Sequence, residues 1–172
     1  MKLSIKQISL VVAAIAIAIA IAIAAWLALF RTPAAPQVRF TTLEGETLTT
    51  AGLRGKVVMV NFWATSCEPC VGEMPQIIDT WNKYHDRGFE TIAVAMSYDP
   101  PNRVLDYAER NRLPFKVALD PVGDAARSFG DVRFTPTTFI IDRRGNIVQQ
   151  YLGAPDFARF HALLEARLRE PA

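Results

Sequence analysis

Apolar residues along this 172-residue chain fall into two kinds of pattern. The first is unbroken. From Ile8 to Phe30 the sequence reads ISLVVAAIAIAIAIAIAAWLALF, with no charge and nothing more polar than Ser9. Alternating Ile and Ala also has a strand period, but strands rarely exceed about 10 residues. About 20 apolar residues at 1.5 Å of helical rise cross a hydrocarbon core, so the run predicts one transmembrane helix over 8–30, behind a short tail at 1–7. A cleaved secretory signal has an apolar core of about 7–15 residues. This run is longer, and Trp26 near its far end suits a membrane–water boundary. The segment is therefore read as an uncleaved anchor.

The second pattern alternates short strand-like runs with helical spacing. RTPAAPQ holds an extended, non-helical linker, placed at 31–36. VRFTTLEGETLTT alternates around Glu44-Gly45 and predicts a hairpin. VVMVNFWA reads as a central strand buried on both faces. From Glu68 to about Arg87, Val71, Met74, Ile77, Ile78, Trp81 and Tyr84 recur at helical spacing, and Gly88 stops the helix. FETIAVAMS is the next strand. After YDPPN, RVLDYAERNR predicts a helix capped by Asn102. FKVALD is a strand, GDAARSFG a short helix, and PTTFIID and NIVQQYLG flank the RRG turn as a hairpin. The closing segment places Phe157, Phe160, Leu164 and Leu168 on one helical face, with Leu163 beside them. Together these elements predict an α/β domain with a mixed sheet over 37–172.

Charge changes the picture in two ways. The 19 basic and 17 acidic residues give +2, but Lys2, Lys6 and Arg31 belong to an N-terminal segment that has no acid. The remaining 16 bases and 17 acids leave the domain at −1, and no basic stripe supports nucleic-acid binding. Lys2 and Lys6 before the span outweigh Arg31 after it, which predicts a cytoplasmic tail and an extracytoplasmic domain on a single-pass inner-membrane protein. In a bacterial-type cell that places the domain in the oxidising periplasm, where a cysteine pair can cycle.

The only two cysteines, Cys67 and Cys70, lie in NFWATSCEPCVGEMPQ. Zinc needs four ligands, and beyond the pair the chain has only His85 and His161, with nothing to suggest that they converge. A staple closing so short a loop gains little, because the chain-entropy benefit shrinks with loop length. A dithiol couple has a mechanism. Cys67 falls where a buried strand passes into a helix, so free N–H groups and the helix dipole stabilise a thiolate. Cys70 follows one turn later, and Pro69 suits a first turn where its missing N–H is not needed.

VVMVNFWATSCEPC followed by VGEMPQ, with FTPTTFIIDRRGNIV further on, resembles the TlpA/ResA/CcmG group of membrane-anchored thioredoxin-like proteins. The resemblance covers nearly all of 37–170 and includes an extra segment from about Asp99 to Asp120. It implies a thioredoxin fold: a central mixed sheet flanked by helices, with an N-terminal hairpin and a central insertion. Cys67 matches the exposed attacking cysteine and Cys70 the buried resolving one. Pro136 matches a proline with a cis peptide bond, which presents the backbone of Thr135 to an extended substrate; on composition alone an ordinary trans proline fits as well. Trp63, Glu68, Pro69, Thr135 and Pro136 are thereby expected to bind or support the substrate. Pro75 matches the proline inside the active-site helix.

Glu73 matches an acid near the cysteines, expected to shuttle protons and raise the thiol pKa values by its charge; a solvated helix carboxylate is the alternative. Asn61 stands where thioredoxin has a buried aspartate, so that role is lost or passes to Glu73. Ser66 replaces a tryptophan, which makes the substrate face less apolar. The charge of Glu68 opposes thiolate formation at Cys67 and favours a reducing couple.

The expected function is a disulfide reductase with no cofactor beyond the Cys67–Cys70 disulfide. The resemblance implies apocytochrome c or copper-site proteins as clients and a membrane thiol–disulfide transporter as electron donor. Two rivals carry different chemistry. A peroxiredoxin-like thiol peroxidase would use Thr65 beside its cysteine, but Thr65 is only two residues before Cys67 and a second cysteine follows closely. A copper-binding or client-holding module could place Cu(I) on two thiolates, without a supporting Met or His cluster.

Overall fold

A computed structural model of the chain describes residues 5–29 and 32–171. Lys2 in the expected tail, and Phe30 and Arg31 at the junction of anchor and linker, lie outside the described residues. The chain divides into two units, one reaching to Thr32 and one from Pro33 onward.

The described residues of the first unit include one helix, α1 (Ile5–Leu29), 25 residues long. Its described side chains from Ile15 to Trp26 are exposed, and among the described residues no helix is long and apolar enough to cross a membrane.

The second unit is built on seven strands: β1 (Arg39–Thr42), β2 (Thr47–Thr49), β3 (Val57–Trp63), β4 (Phe89–Ala95), β5 (Lys116–Leu119), β6 (Thr137–Ile141) and β7 (Ile147–Leu152). Their order across the sheet is β2-β1-β5-β4-β3-β6-β7. β3, β4 and β5 run parallel, while β6 is antiparallel to β3 and the two hairpins close the edges. Four helices complete it: α2 (Glu68–Tyr84), α3 (Pro101–Arg110), α4 (Asp124–Ser128) and α5 (Phe157–Leu168).

β3 is the hub. All seven of its residues are buried, and its period of two divides them between two cores. Val57, Met59 and Trp63 join the core shared with α2, α3 and α5 through Cys70, Met74, Ile77, Val104, Phe160 and Leu164. Val58, Val60 and Phe62 join the opposite core, with Phe40, Ala125, Ala126 and Phe129. The same alternation turns Asn61 toward the α2 side, which decides the chemistry described below.

Two local expectations change. α3 begins on Pro100 without a side-chain cap, and Asn102 sits inside its first turn, because two consecutive prolines already fix the dihedrals of a helix start. The segment read as linker is hydrogen-bonded to the domain from Pro33 onward. Ala35 N–H donates to the Gly145 carbonyl at 2.8 Å, Ile147 N–H donates to the Pro33 carbonyl at 2.8 Å, and Ala35 is buried. The insertion from Asp99 to Asp120 supplies α3 and β5.

Candidate active site

Cys67 is the N-cap of α2, and its sulfur accepts the Cys70 N–H at 3.3 Å. Pro69 occupies the first turn, where its lack of an N–H is harmless. Cys67 and Cys70 are joined as a disulfide, with Cα atoms 5.2 Å apart. Cys67 is partly exposed and Cys70 fully buried, so only one sulfur faces an incoming molecule. When the pair is reduced, the Cys70 N–H and the helix dipole act on Cys67 and favour its thiolate. Glu68 and Ser66 stand exposed on either side of Cys67.

Behind the pair lies a carboxyl group. Glu73 follows Cys70 by three residues, on the same helical face, and is 4% exposed, which overturns the solvated-carboxylate alternative. Asn61 Nδ2 donates to Glu73 Oε1 and to Thr138 Oγ1, both at 2.9 Å. Thr138 is the cross-strand partner of Asn61 in the β3–β6 ladder, so strand register aims the amide. Burial pushes the Glu73 carboxyl up from 4.5 to about 7, against a smaller opposing effect of the Asn61 hydrogen bond. Its Oε2 has no hydrogen-bond partner among the described residues, which also favours the neutral acid. Asn61 cannot ionise in the aspartate's place; it holds the group that does.

β6 starts at Thr137 opposite Phe62, so Thr135 and Pro136 lie just beyond the end of β3, where the chain leaves for the cysteines. The Thr135–Pro136 peptide bond is cis, and Gly153 N–H donates to the Pro136 carbonyl at 2.8 Å. Trp63 does not meet a substrate. It is fully buried, packed on Tyr107 with ring centroids 5.2 Å apart, because it belongs to the inward-facing set of β3. Its contribution is support from beneath. Pro75 lies inside α2, which continues through it to Tyr84.

The two histidines are engaged elsewhere. His85 stacks on Trp81 at 4.0 Å, and His161 Nε2 lies 2.8 Å from Thr80 Oγ1. Among the described residues no three His, Cys, Asp or Glu side chains are grouped to hold a metal. The Thr65 hydroxyl, which the peroxidase rival would need, instead donates to Asp99 Oδ1 at 2.6 Å.

Comparison with known proteins agrees with this geometry. A family model described as Redoxin matches residues 32–164. The chain belongs to the redoxin family. It is 34% identical over 119 residues to the thiol-disulfide oxidoreductase ResA of Bacillus thuringiensis subsp. konkukian, covering 69% of this chain and 68% of that one. The ResA of Bacillus anthracis is 36% identical with the same coverage. A thiol:disulfide interchange protein of the thioredoxin family from Chlorobium tepidum superposes with a TM-score of 0.73 at 28% identity, covering 80% of this chain and 97% of the other. This redoxin is a thiol–disulfide oxidoreductase of the TlpA/ResA/CcmG-like group, and its domain has the thioredoxin fold with a mixed sheet.

Sequence reasoning missed Asp99, Tyr98 and Thr138. Asp99 Oδ2 accepts the Thr65 N–H at 2.6 Å, and the Tyr98 hydroxyl lies 3.3 Å from Thr135 Oγ1. Thr138 is the third threonine of the FTPTT motif, and it is found by pairing β6 against Asn61. Asp99 carries no local mark, since its partner is 34 residues away. An open hollow of about 420 Å³ adjoins the cysteine turn, bounded by Thr65, Tyr107 and the polar face of α3.

Proposed function

We propose that this redoxin is a membrane-tethered, extracytoplasmic disulfide reductase. The observation that carries the reading is the asymmetry of the pair, with Cys67 partly exposed at a helix N-cap and Cys70 buried one turn behind. The Cys67 thiolate attacks one sulfur of a client disulfide, forming a mixed disulfide and releasing the other client sulfur as a thiolate that takes up a proton. Cys70, deprotonated, then attacks the Cys67 sulfur. The client leaves as a dithiol, and its disulfide has been exchanged for Cys67–Cys70. Glu73 lies on the face of Cys70, and burial lifts its carboxyl to about 7, so near pH 7 a large share is ionised; in that carboxylate form it takes the Cys70 proton in the second step. Thr135 offers its backbone to the client segment beside the cysteines.

Two acids favour the reducing direction. Glu68, exposed next to Cys67, and Glu73, once ionised, both oppose thiolate charge, and a couple with less stabilised thiolates is a weaker oxidant. Re-reduction falls to a membrane thiol–disulfide transporter, and the clients we favour are apocytochrome c, with its haem-attachment cysteines, and copper-site proteins of an oxidase. The tether is the apolar run read in the sequence from Ile8 to Phe30, since about 20 such residues in a helix cross a hydrocarbon core, and Lys2 and Lys6 before it keep its start cytoplasmic.

Replacing Cys70 by Ala tests the mechanism, since the mixed disulfide on Cys67 then has no resolving thiol. A covalent client complex should accumulate in cells and dissolve on reduction. If Cys67→Ala traps the client and Cys70→Ala does not, the roles are reversed. Equilibration with glutathione tests the direction: a potential near the roughly −120 mV of the strong oxidant DsbA would overturn the reductase reading.

A further inference from the structure

The turn that carries Cys67 is held by a carboxylate that disulfide exchange does not itself consume. Met96 donates its N–H to the Trp63 carbonyl at 3.0 Å, which keeps the chain after β4 beside the end of β3. Asp99 N–H then closes a turn on the Met96 carbonyl at 2.9 Å. That turn brings the Asp99 side chain, 5% exposed, onto Thr65. One carboxylate oxygen accepts the Thr65 N–H and the other its hydroxyl, both at 2.6 Å. Thr65 is the second residue of a turn that ends at Cys67, whose own N–H donates to the Ala64 carbonyl at 3.1 Å.

Each carboxyl oxygen of Asp99 takes a separate donor, and both donors belong to the same residue. Backbone and side chain of Thr65 are thus both pinned, two residues before the attacking sulfur. The preceding residue extends the same loop to the opposite wall, where the Tyr98 hydroxyl meets Thr135 Oγ1 beside Pro136. One dipeptide therefore touches both chain segments that frame the disulfide.

We infer that Asp99 is a positioning residue of the redox centre: through Thr65 it fixes the Ala64–Cys67 turn and so sets both the reactivity and the redox equilibrium of the Cys67–Cys70 pair. The direction follows from entropy. In the disulfide form the S–S bond itself restrains Cys67, whereas in the dithiol form the brace does so. Releasing the brace frees the dithiol form more than the disulfide and shifts the equilibrium toward the dithiol. Ordering one residue's backbone is worth about 1–2 kcal/mol, which converts to about tenfold. The reacting sulfur is also less well placed for attack, and small misplacements cost up to about 100-fold in rate. The inference rests on the Cys67–Cys70 chemistry, and on neither the reductive direction nor the membrane tether.

The test uses the full-length protein in detergent, equilibrated with reduced and oxidised glutathione, alongside the rate at which its dithiol form reduces insulin. Asp99→Ala should shift the glutathione equilibrium toward the dithiol by about tenfold and slow insulin reduction by a similar factor. Asp99→Asn, which keeps the size and one acceptor oxygen, should fall between wild type and Asp99→Ala and guards against a variant that does not fold. Thr65→Val removes the hydroxyl bond alone. It should have a measurable effect in the wild type and none in the Asp99→Ala background, because the hydroxyl acts through Asp99. A glutathione equilibrium within about twofold of wild type for both Asp99 variants, with only the melting temperature lowered, would reduce Asp99 to a loop anchor and overturn the inference. Equal effects of Thr65→Val in both backgrounds would overturn it too. A wild-type protein that reduces no disulfide would instead refute the reductase reading, while the glutathione equilibrium would still report on Asp99.

Discussion

Ile15, Ile17, Ile19, Ile21 and Ile23 of α1 are each more than half exposed, whereas every residue of β3 from Val57 to Trp63 is buried. Both segments are rich in apolar residues, yet only the strand is packed within a core. β3 needs seven residues to cross the domain and finds a sheet neighbour on each edge and a packed core on each face. From Ile15 to Trp26 the sequence of α1 is apolar all round, so that stretch has no polar face to give to water. The difference teaches that apolar content alone does not define a core; length and period decide whether protein or something else covers it. In the proposed reading that cover for α1 is lipid.

The largest expected effect separates the two segments outright. Removing residues 1–32 should move the protein from the membrane pellet to the soluble fraction while its thermal unfolding and insulin reduction stay unchanged. A truncated domain that still sediments with membranes would break the proposed division of labour.

The next sharpens the contrast by single substitutions. Phe62, fully buried, packs against Phe129 and Phe139 at 5.5 and 6.0 Å between ring centroids. Phe62→Ala should destabilise the domain by about 3–5 kcal/mol. Ile19→Ala should leave urea unfolding of the domain where it was.

A third prediction concerns the one polar residue of β3 and the acid it holds. Burial raises Glu73 to about 7 from 4.5, so between these values the folded state binds a proton that the unfolded state has released. Stability therefore falls as pH rises through this window, by up to about 3 kcal/mol once pH is above 7. Glu73→Gln should remove that slope and be the more stable protein at pH 8, since Gln can still accept the Asn61 hydrogen bond. Denaturant midpoints at pH 5 and pH 8 check both statements; parallel pH dependences in the two proteins would contradict them.

The smallest effect contrasts α1 with α5, a helix that begins at a water-facing end. Asp156 caps α5 by accepting the N–H groups of Ala158 and Arg159 at 3.0 and 3.2 Å. Asp156→Ala should cost about 1 kcal/mol in urea unfolding.

Much of this architecture is legible in the sequence. The hairpin at Glu44-Gly45, the buried VVMVNFW strand, the helix after the cysteines, the closing β-hairpin and the amphipathic C-terminal helix all follow from period and turn chemistry, which are local. The cysteine pair stood out for the same reason, since its spacing and its place between strand and helix are properties of a short stretch. At the start of α3 the preference for Asn as a cap competes with the preference for Pro in a first turn, and Pro prevails. The burial of Glu73 is not legible in the sequence, because helical spacing does not say how much of a helix the sheet covers.

The sequence by itself determined the elements, the redox pair and the apolar span, because each depends on residues within one or two turns of one another. Only the tertiary structure decided what surrounds the pair. Asn61 reaches Glu73 across 12 residues and Thr138 across 77, and Asp99 reaches Thr65 across 34. The raised pKa of Glu73 and the bracing of Cys67 arise from burial and from partners that the sheet brings together. Those are properties of packing, which no local pattern encodes.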